Sequence, residues 1–316
     1  MIFPMKYKNI LLIVSVPLIT FVWWFFNGGL WITPDVFFVI ALIVAFFTHN
    51  ARLFIVDWSP FLLIFFVYEA LRGLIPHAFE RAIRQGLITI DSFVFGKTPS
   101  EILQKLLWKG SPQWYDIFFT GVYIMHFVIP LVFGFVLWKR SRVIYYRFII
   151  SLLVLSFAAF ATYYIVPAAP PWLAVDEGLI SGVVHIQTHV YMSLGSSVGI
   201  MVPHVDSIYD LFGANLVAAL PSLHAAYPFL LFLFALKFFD KKIVWLIGTY
   251  MVTVWFSVVY LGDHYVFDVA LGILYAGVIF YSVNGALDKF IGTLGYQQIV
   301  SMGIFSTKGK RRARSN

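Results

Sequence analysis

Two histidines and an aspartate are the residues best placed to do chemistry. His224 lies in "NLVAALPSLHAAYP", where a polar stretch enters a long apolar run. His264 and Asp268 lie in "YLGDHYVFD", at the mouth of another such run. Residues four apart on a helix share a face, so the Asp268 carboxylate can accept a hydrogen bond from one ring nitrogen of His264. That fixes the tautomer and leaves the other nitrogen as a lone-pair nucleophile. It is the orienting logic of a catalytic triad with histidine as the attacking group. His224 supplies the complement, a protonated imidazole that gives its proton to a leaving alkoxide. Ser222 and the backbone N–H groups that open the following helix suit phosphoryl oxygens, because a helix N-terminus favours an anion.

A single histidine at the end of an apolar run is more often a hydrogen-bonded interfacial residue. The pair with Asp268 on one membrane face shifts the balance, because ionisable groups at membrane depth are costly and usually mark a site. Metal binding is the rival, since imidazole and carboxylate both ligate well. No third or fourth histidine stands at close ligand spacing, so neither a metal nor another cofactor is expected. Arg72, in "YEALRGL", is the best candidate to grip phosphate oxygens bidentately. Its alternatives are a pair with Glu69 or snorkelling to the headgroups. Tyr123 and His126 share a helix face at i and i+3. They either line the site or form a structural hydrogen-bonded pair.

The elements that must position these residues are membrane spans. The chain of 316 residues is 61% hydrophobic and only 12% charged, against about 25% charged in a soluble domain. There is no cysteine, which excludes disulfides and thiolate metal sites. The net charge of +7 does not point to nucleic acid, because the basic residues sit in short loops and a tail beside apolar runs. Eight apolar segments are readable, at 10–27, 33–49, 60–76, 116–138, 147–166, 223–239, 243–261 and 265–284. At about 1.5 Å per residue most can cross a core of about 30 Å. The first has no small-residue cleavage site after it and reads as a retained anchor. The distribution of Lys and Arg puts both termini in the cytoplasm and both histidine motifs on the outer face.

This predicts an all-α polytopic membrane bundle, with a six-helix catalytic core and two added N-terminal helices. Residues 1–58 form the two-span hairpin, 59–290 the core, and 291–316 a basic cytoplasmic tail that touches anionic lipid. The core carries two outer segments, 77–115 and 167–222. The first contains "TPSEILQKLLWKG", where Ser100 can cap a helix with Ile102, Leu103, Leu106 and Leu107 on one face. Gln104, Lys105 and Lys109 fall on the other, the pattern of an interfacial helix or of a surface helix packed on the bundle. The second outer segment is too rich in aromatic and apolar residues for disorder and reads as an ordered cover.

"NLVAALPSLHAAYP" and "YLGDHYVFD" resemble the second and third motifs of the type 2 phosphatidic acid phosphatase superfamily. The Pro-Ser-Leu-His form resembles the branch of the inositol phosphorylceramide synthases and their bacterial and archaeal relatives. "WYDIFFTGVYIMHFVIP" and "VPAAPPW" are similar to upstream features of that branch. The resemblance runs from about residue 60 to 285. It implies a phosphohistidine on His264, with Asp268 as its orienter and His224 as proton donor. The chain departs from ordinary phosphatases at three cationic positions: the Lys then Arg-Pro motif is replaced by Ala159 and Val166-Pro167, and the third-motif arginine is Val258, although Ser257 before it is kept.

The expected function is therefore metal-independent phosphoryl transfer from a lipid phosphate or phosphodiester at the outer leaflet, in the cell membrane. Transfer of an inositol-phosphate-type headgroup to an alcohol is favoured, and the alternative is a polyprenyl or phospholipid phosphate phosphatase that uses water. A proton-coupled transporter or lipid flippase is the reading from another class. It calls for broken helices and ionisable groups at mid-membrane, whereas these histidines sit at span mouths.

Overall fold

A computed structural model describes residues 51–72, 80–197 and 217–293, together with residue 46. The chain divides into two compact units, residues 1–60 and 61–316. In the first, the Phe54 ring stacks on Trp58 with centroids 5.3 Å apart. Most of the expected two-span hairpin and the basic tail beyond residue 293 lie outside the described residues.

Among the described residues every regular element is a helix. In order they are α1 Ala51–Arg72, α2 Gln85–Phe95, α3 Pro99–Leu107, α4 Trp114–Arg140 and α5 Arg142–Ile165. There follow α6 Pro171–Asp176, α7 Ile186–Ser197, α8 Leu223–Phe238, α9 Lys241–Tyr260 and α10 Val266–Thr293. Ser141 caps α5 by accepting from Ile144 N, and Ser222 caps α8 by accepting from Ala225 N. Asp240 caps α9 by accepting from Lys242 N and Ile243 N. Each gives an acceptor to amides that have no partner within their own helix.

Helix α5, helix α9 and Val266–Phe290 of α10 are long and apolar enough to cross a membrane, and α4 is a fourth if its halves count as one. Those halves, Trp114–His126 and Val128–Arg140, meet at 49°. Pro130 explains the bend: it lacks the N–H that the His126 carbonyl would use, and its ring crowds that carbonyl. Helix α8 is apolar but has 16 residues, roughly 24 Å at about 1.5 Å per residue. Four of the eight apolar segments thus fall in these long helices, the sixth in α8 and the third partly in α1. The first two, residue 46 apart, lie outside the described residues.

Helix α8 is the centre of the bundle, packed on α4, α5, α9 and α10. Ala225, Ala226, Leu230, Leu231, Phe234 and Ala235 are fully buried in it, while Leu236 near its end is exposed. Phe234 meets Phe148 of α5 and Phe280 of α10 edge-on, a geometry the ring quadrupole favours. Gly272 lets α10 pass close to the turn before α8, since a Cβ there would run into the Ser222 carbonyl oxygen. Three extended pieces also meet: Ile83 pairs with Ala168, and Ala168 with Ala218, as isolated parallel bridges. They draw the starts of α2 and α8 to the end of α5.

Residues 80–115 hold two helices, α2 and α3, that turn some polar groups inward. Phe93, Val94 and Leu106 are exposed, whereas Asp91, Ser100 and Gln104 are buried. The periodicity assigns Gln104 to the polar outer face and makes Ser100 the cap; the structure corrects both. The cap is Thr98, which accepts from Glu101 N while the Glu101 carboxylate accepts from Thr98 N. Pro99 suits the first helical position, where its missing N–H would have no helical partner. Ser100 Oγ donates to Val259 O at 2.9 Å, and Gln104 Nε2 donates to Tyr260 O at 2.8 Å and Val184 O at 2.9 Å. Gln104 thus faces the carbonyls of a turn beside Leu103 and Leu107, which pack on the core, while Lys105 stays exposed. Within residues 167–222, α6 and α7 are described and residues 198–216 are not.

Candidate active site

His224 is the second residue of α8, His264 lies in the turn between α9 and α10, and Asp268 is in the first turn of α10. The bundle brings all three together. His224 Nδ1 is 3.1 Å from His264 Nε2. His264 Nδ1 is 3.4 Å from Asp268 Oδ2, a charge contact looser than a made hydrogen bond, since that nitrogen otherwise has no hydrogen-bond partner. Both ring nitrogens of His264 therefore face a partner. A proton on Nδ1, beside the carboxylate, leaves the Nε2 lone pair turned toward His224. His264 is 4% exposed and Asp268 fully buried.

The turn that carries His264 is fixed by its backbone. Val258 O accepts from both Asp263 N and His264 N at 3.0 Å. Gly262 has φ +90° and is crowded by the Val184 carbonyl, so a residue with a Cβ would be strained there. Asp268 Oδ2 accepts from Tyr265 N at 3.0 Å, and the Asp268 carbonyl accepts from Ser222 N at 3.1 Å. That last bond joins the two motifs through main chain alone.

Asp91 of α2 is a carboxylate that sequence patterning does not single out. It accepts from Val266 N at 2.8 Å and Phe267 N at 3.1 Å, capping the helix that holds Asp268. Burial raises its carboxyl above the ordinary value, and the two amides pull it back.

Tyr123 and His126 reach the pair from α4, and they flank His224. The Tyr123 ring stacks on His224 at 4.3 Å and 23°, and the His126 ring lies 3.7 Å from it. His126 Nδ1 donates to Tyr123 O at 2.7 Å, which fixes its tautomer. Ser222 is fully buried, and its Oγ accepts from Ala225 N at 3.2 Å. Arg72 ends α1, and its side chain lies outside the described ones. Ala159 and Val258, at two positions where the resemblance calls for cations, are fully buried. Arg84 is held by both oxygens of Glu177 at 2.7 and 2.6 Å, and Arg147 by Asp288 at 2.5 Å. His224 sits in the first turn of α8, where the helix start carries partial positive charge.

A family model described as PAP2 superfamily matches residues 86–282, more than half of the chain and inclusive of both histidine motifs. The chain belongs to that superfamily, as the motifs imply. It is similar to the phosphoinositol dihydroceramide synthase of Bacteroides thetaiotaomicron, with 34% identity over 201 residues. The match covers 60% of this chain and 63% of that relative, so the chain spans less than two thirds of the relative's length. No solved structure matches the chain.

Proposed function

We propose that the protein is a membrane phosphotransferase that moves an inositol-phosphate-type headgroup from a phosphodiester lipid to an alcohol, with His264 as nucleophile. The observation that carries this reading is the 3.1 Å approach of His224 Nδ1 to His264 Nε2 beside a buried carboxylate. In the first step the Nε2 lone pair attacks phosphorus, and the bond from phosphorus to the glycerol-type oxygen breaks. His224 gives that oxygen a proton as it leaves. The positive charge on the phosphohistidine ring is balanced by Asp268. In the second step an acceptor hydroxyl loses its proton to His224 and attacks phosphorus, and the P–N bond breaks to restore His264. Neither step requires a metal or another cofactor.

Ser222 and the first turn of α8, with Arg72, are the proposed phosphoryl-binding groups, and Tyr123 and His126 line the His224 side. The relative's name points to a dihydroceramide-type acceptor, whose primary hydroxyl fits the second step. We place the site on the extracytoplasmic face of an eight-span chain in the cell membrane. The test uses purified protein with labelled phosphatidylinositol, with and without dihydroceramide, and identifies products by mass. An inositol phosphoryl sphingolipid and diacylglycerol should form together, and neither should form with His264→Ala. Release of free inositol phosphate whether or not the acceptor is present would make the protein a hydrolase. Inertness toward phosphodiester, phosphomonoester and polyprenyl phosphate lipids alike would overturn the reading.

A further inference from the structure

Asp263 precedes the proposed nucleophile, and the reaction does not use it. Its residue is 6% exposed. Oδ1 lies 3.2 Å from His185 Nε2, and Oδ2 accepts from Gln187 Nε2 at 2.6 Å. One stretch of the second outer segment, 76 to 78 residues earlier in the chain, thus engages both oxygens. His185 is itself fixed: its Nδ1 is 2.9 Å from Thr188 Oγ1, and its ring stacks on Trp172 at 5.0 Å and 20°. Trp172 N donates to Gly262 O at 3.1 Å, beside Asp263. One turn further along α7, burial and then the Asp263 charge push the Tyr191 phenol up.

A buried carboxylate is costly unless donors surround it. An apolar side chain would fill this volume at less cost, so packing alone does not call for an aspartate. We propose that Asp263 is a positioning residue that ties residues 172–191 of the outer segment to the turn aiming His264. The cover and the nucleophile are then set by one contact. This rests on the reading of His264 as nucleophile. Asp263 N and His264 N share the Val258 carbonyl as acceptor, so a shift of one amide moves the other. A misplacement of about 1 Å is enough to cost about 10²-fold in rate.

The chain has no cysteine, so Val190→Cys, at a fully buried position of α7, reports opening of the segment through its labelling rate. On that background Asp263→Asn removes the charge at nearly constant volume. His185→Ala removes one donor and leaves Asp263 in place, should the first variant fail to fold. Both should label about 10-fold faster or more. Phosphoenzyme formation from the lipid donor should slow about 10–100-fold with its burst amplitude unchanged. The loss should be equal for good and poor leaving groups, because attack is impaired and departure is not. Unchanged labelling overturns the tie, and faster labelling at an unchanged phosphoenzyme rate overturns the positioning role. A lower amplitude at an unchanged rate marks lost folded enzyme and also overturns it. If the unsubstituted protein forms no phosphoenzyme while labelling still responds, the nucleophile reading fails and the positioning role with it, while the tie stands.

Discussion

His264 stands between His224 and Asp268, to which the proposed reaction gives opposite tasks, so single replacements should separate them. His264→Ala should abolish the phosphoenzyme, because the attacking lone pair is gone. His224→Ala should keep the nucleophile and slow expulsion of an alkoxide-like leaving group by about 10²–10⁴-fold, much of it recovered with a phenolate leaving group. Asp268→Asn should fall between them, with the ring in place but its tautomer no longer fixed. Rapid-quench trapping of phosphoenzyme in each variant checks this; trapping in His264→Ala but not in His224→Ala would reverse the two roles. Turnover should also survive EDTA. His264 Nδ1 faces Asp268, its Nε2 is the attacking atom of the proposed reaction, and no step of that reaction draws on a metal. Loss of activity that one divalent ion restores would replace this mechanism with metal catalysis.

The elements around the turn decide whether those side chains meet, and here sequence and structure part company. Asp91→Ala should leave two amides of α10 without acceptors and cost about 0.5–2 kcal/mol, the range of a lost helix cap. Because Asp268 lies in that same turn, turnover should fall as well, and Asp91→Asn should keep part of both. Thermal unfolding in detergent beside a turnover assay reads the two together, and a variant as stable and active as the parent would remove Asp91 from the site's support. Gly272→Ala should cost about 1–3 kcal/mol through overpacking, since its Cβ would meet the Ser222 carbonyl; an unchanged melting midpoint would refute that close approach. The His264–Asp268 pair was legible in the sequence because only four residues separate the two, although His264 lies in the turn before α10 and not on the helix with Asp268. The facing of Tyr123 and His126 was legible for the same reason, though not that His224 lies between them and His264. Asp91, Gln104 and Asp263 were not legible, since their partners lie 76 to 176 residues away and only the packed bundle supplies them. Helix α2 went unread because an 11-residue apolar helix has the length of a loop insertion and not of a span.

At the scale of the molecule, the histidine pair and the basic residues occupy opposite ends of the same helices. His224 opens α8, while Lys237, Lys241 and Lys242 gather at its far end and at the start of α9, roughly 24 Å away for 16 helical residues at about 1.5 Å each. The α4–α5 turn is equally basic, with Lys139, Arg140 and Arg142. It lies at that same far end, because the other end of α5 runs into Ala168, which bridges to Ala218 just before Ser222. Arg147 near that turn bonds Asp288, twenty residues along α10 from Asp268, which puts a third element in the same orientation. Lys and Arg flanking spans favour the cytoplasmic side, so the histidine end should face out. Ser181, in the outer segment, and Lys242, in the basic turn, are both exposed. In a chain without native cysteine, Ser181→Cys should react with an impermeant maleimide added to intact cells, and Lys242→Cys only after permeabilisation. The opposite pattern would turn the molecule over and put the proposed reaction at the cytoplasmic leaflet; labelling of both from outside would mean that α8 and α9 do not cross as a pair.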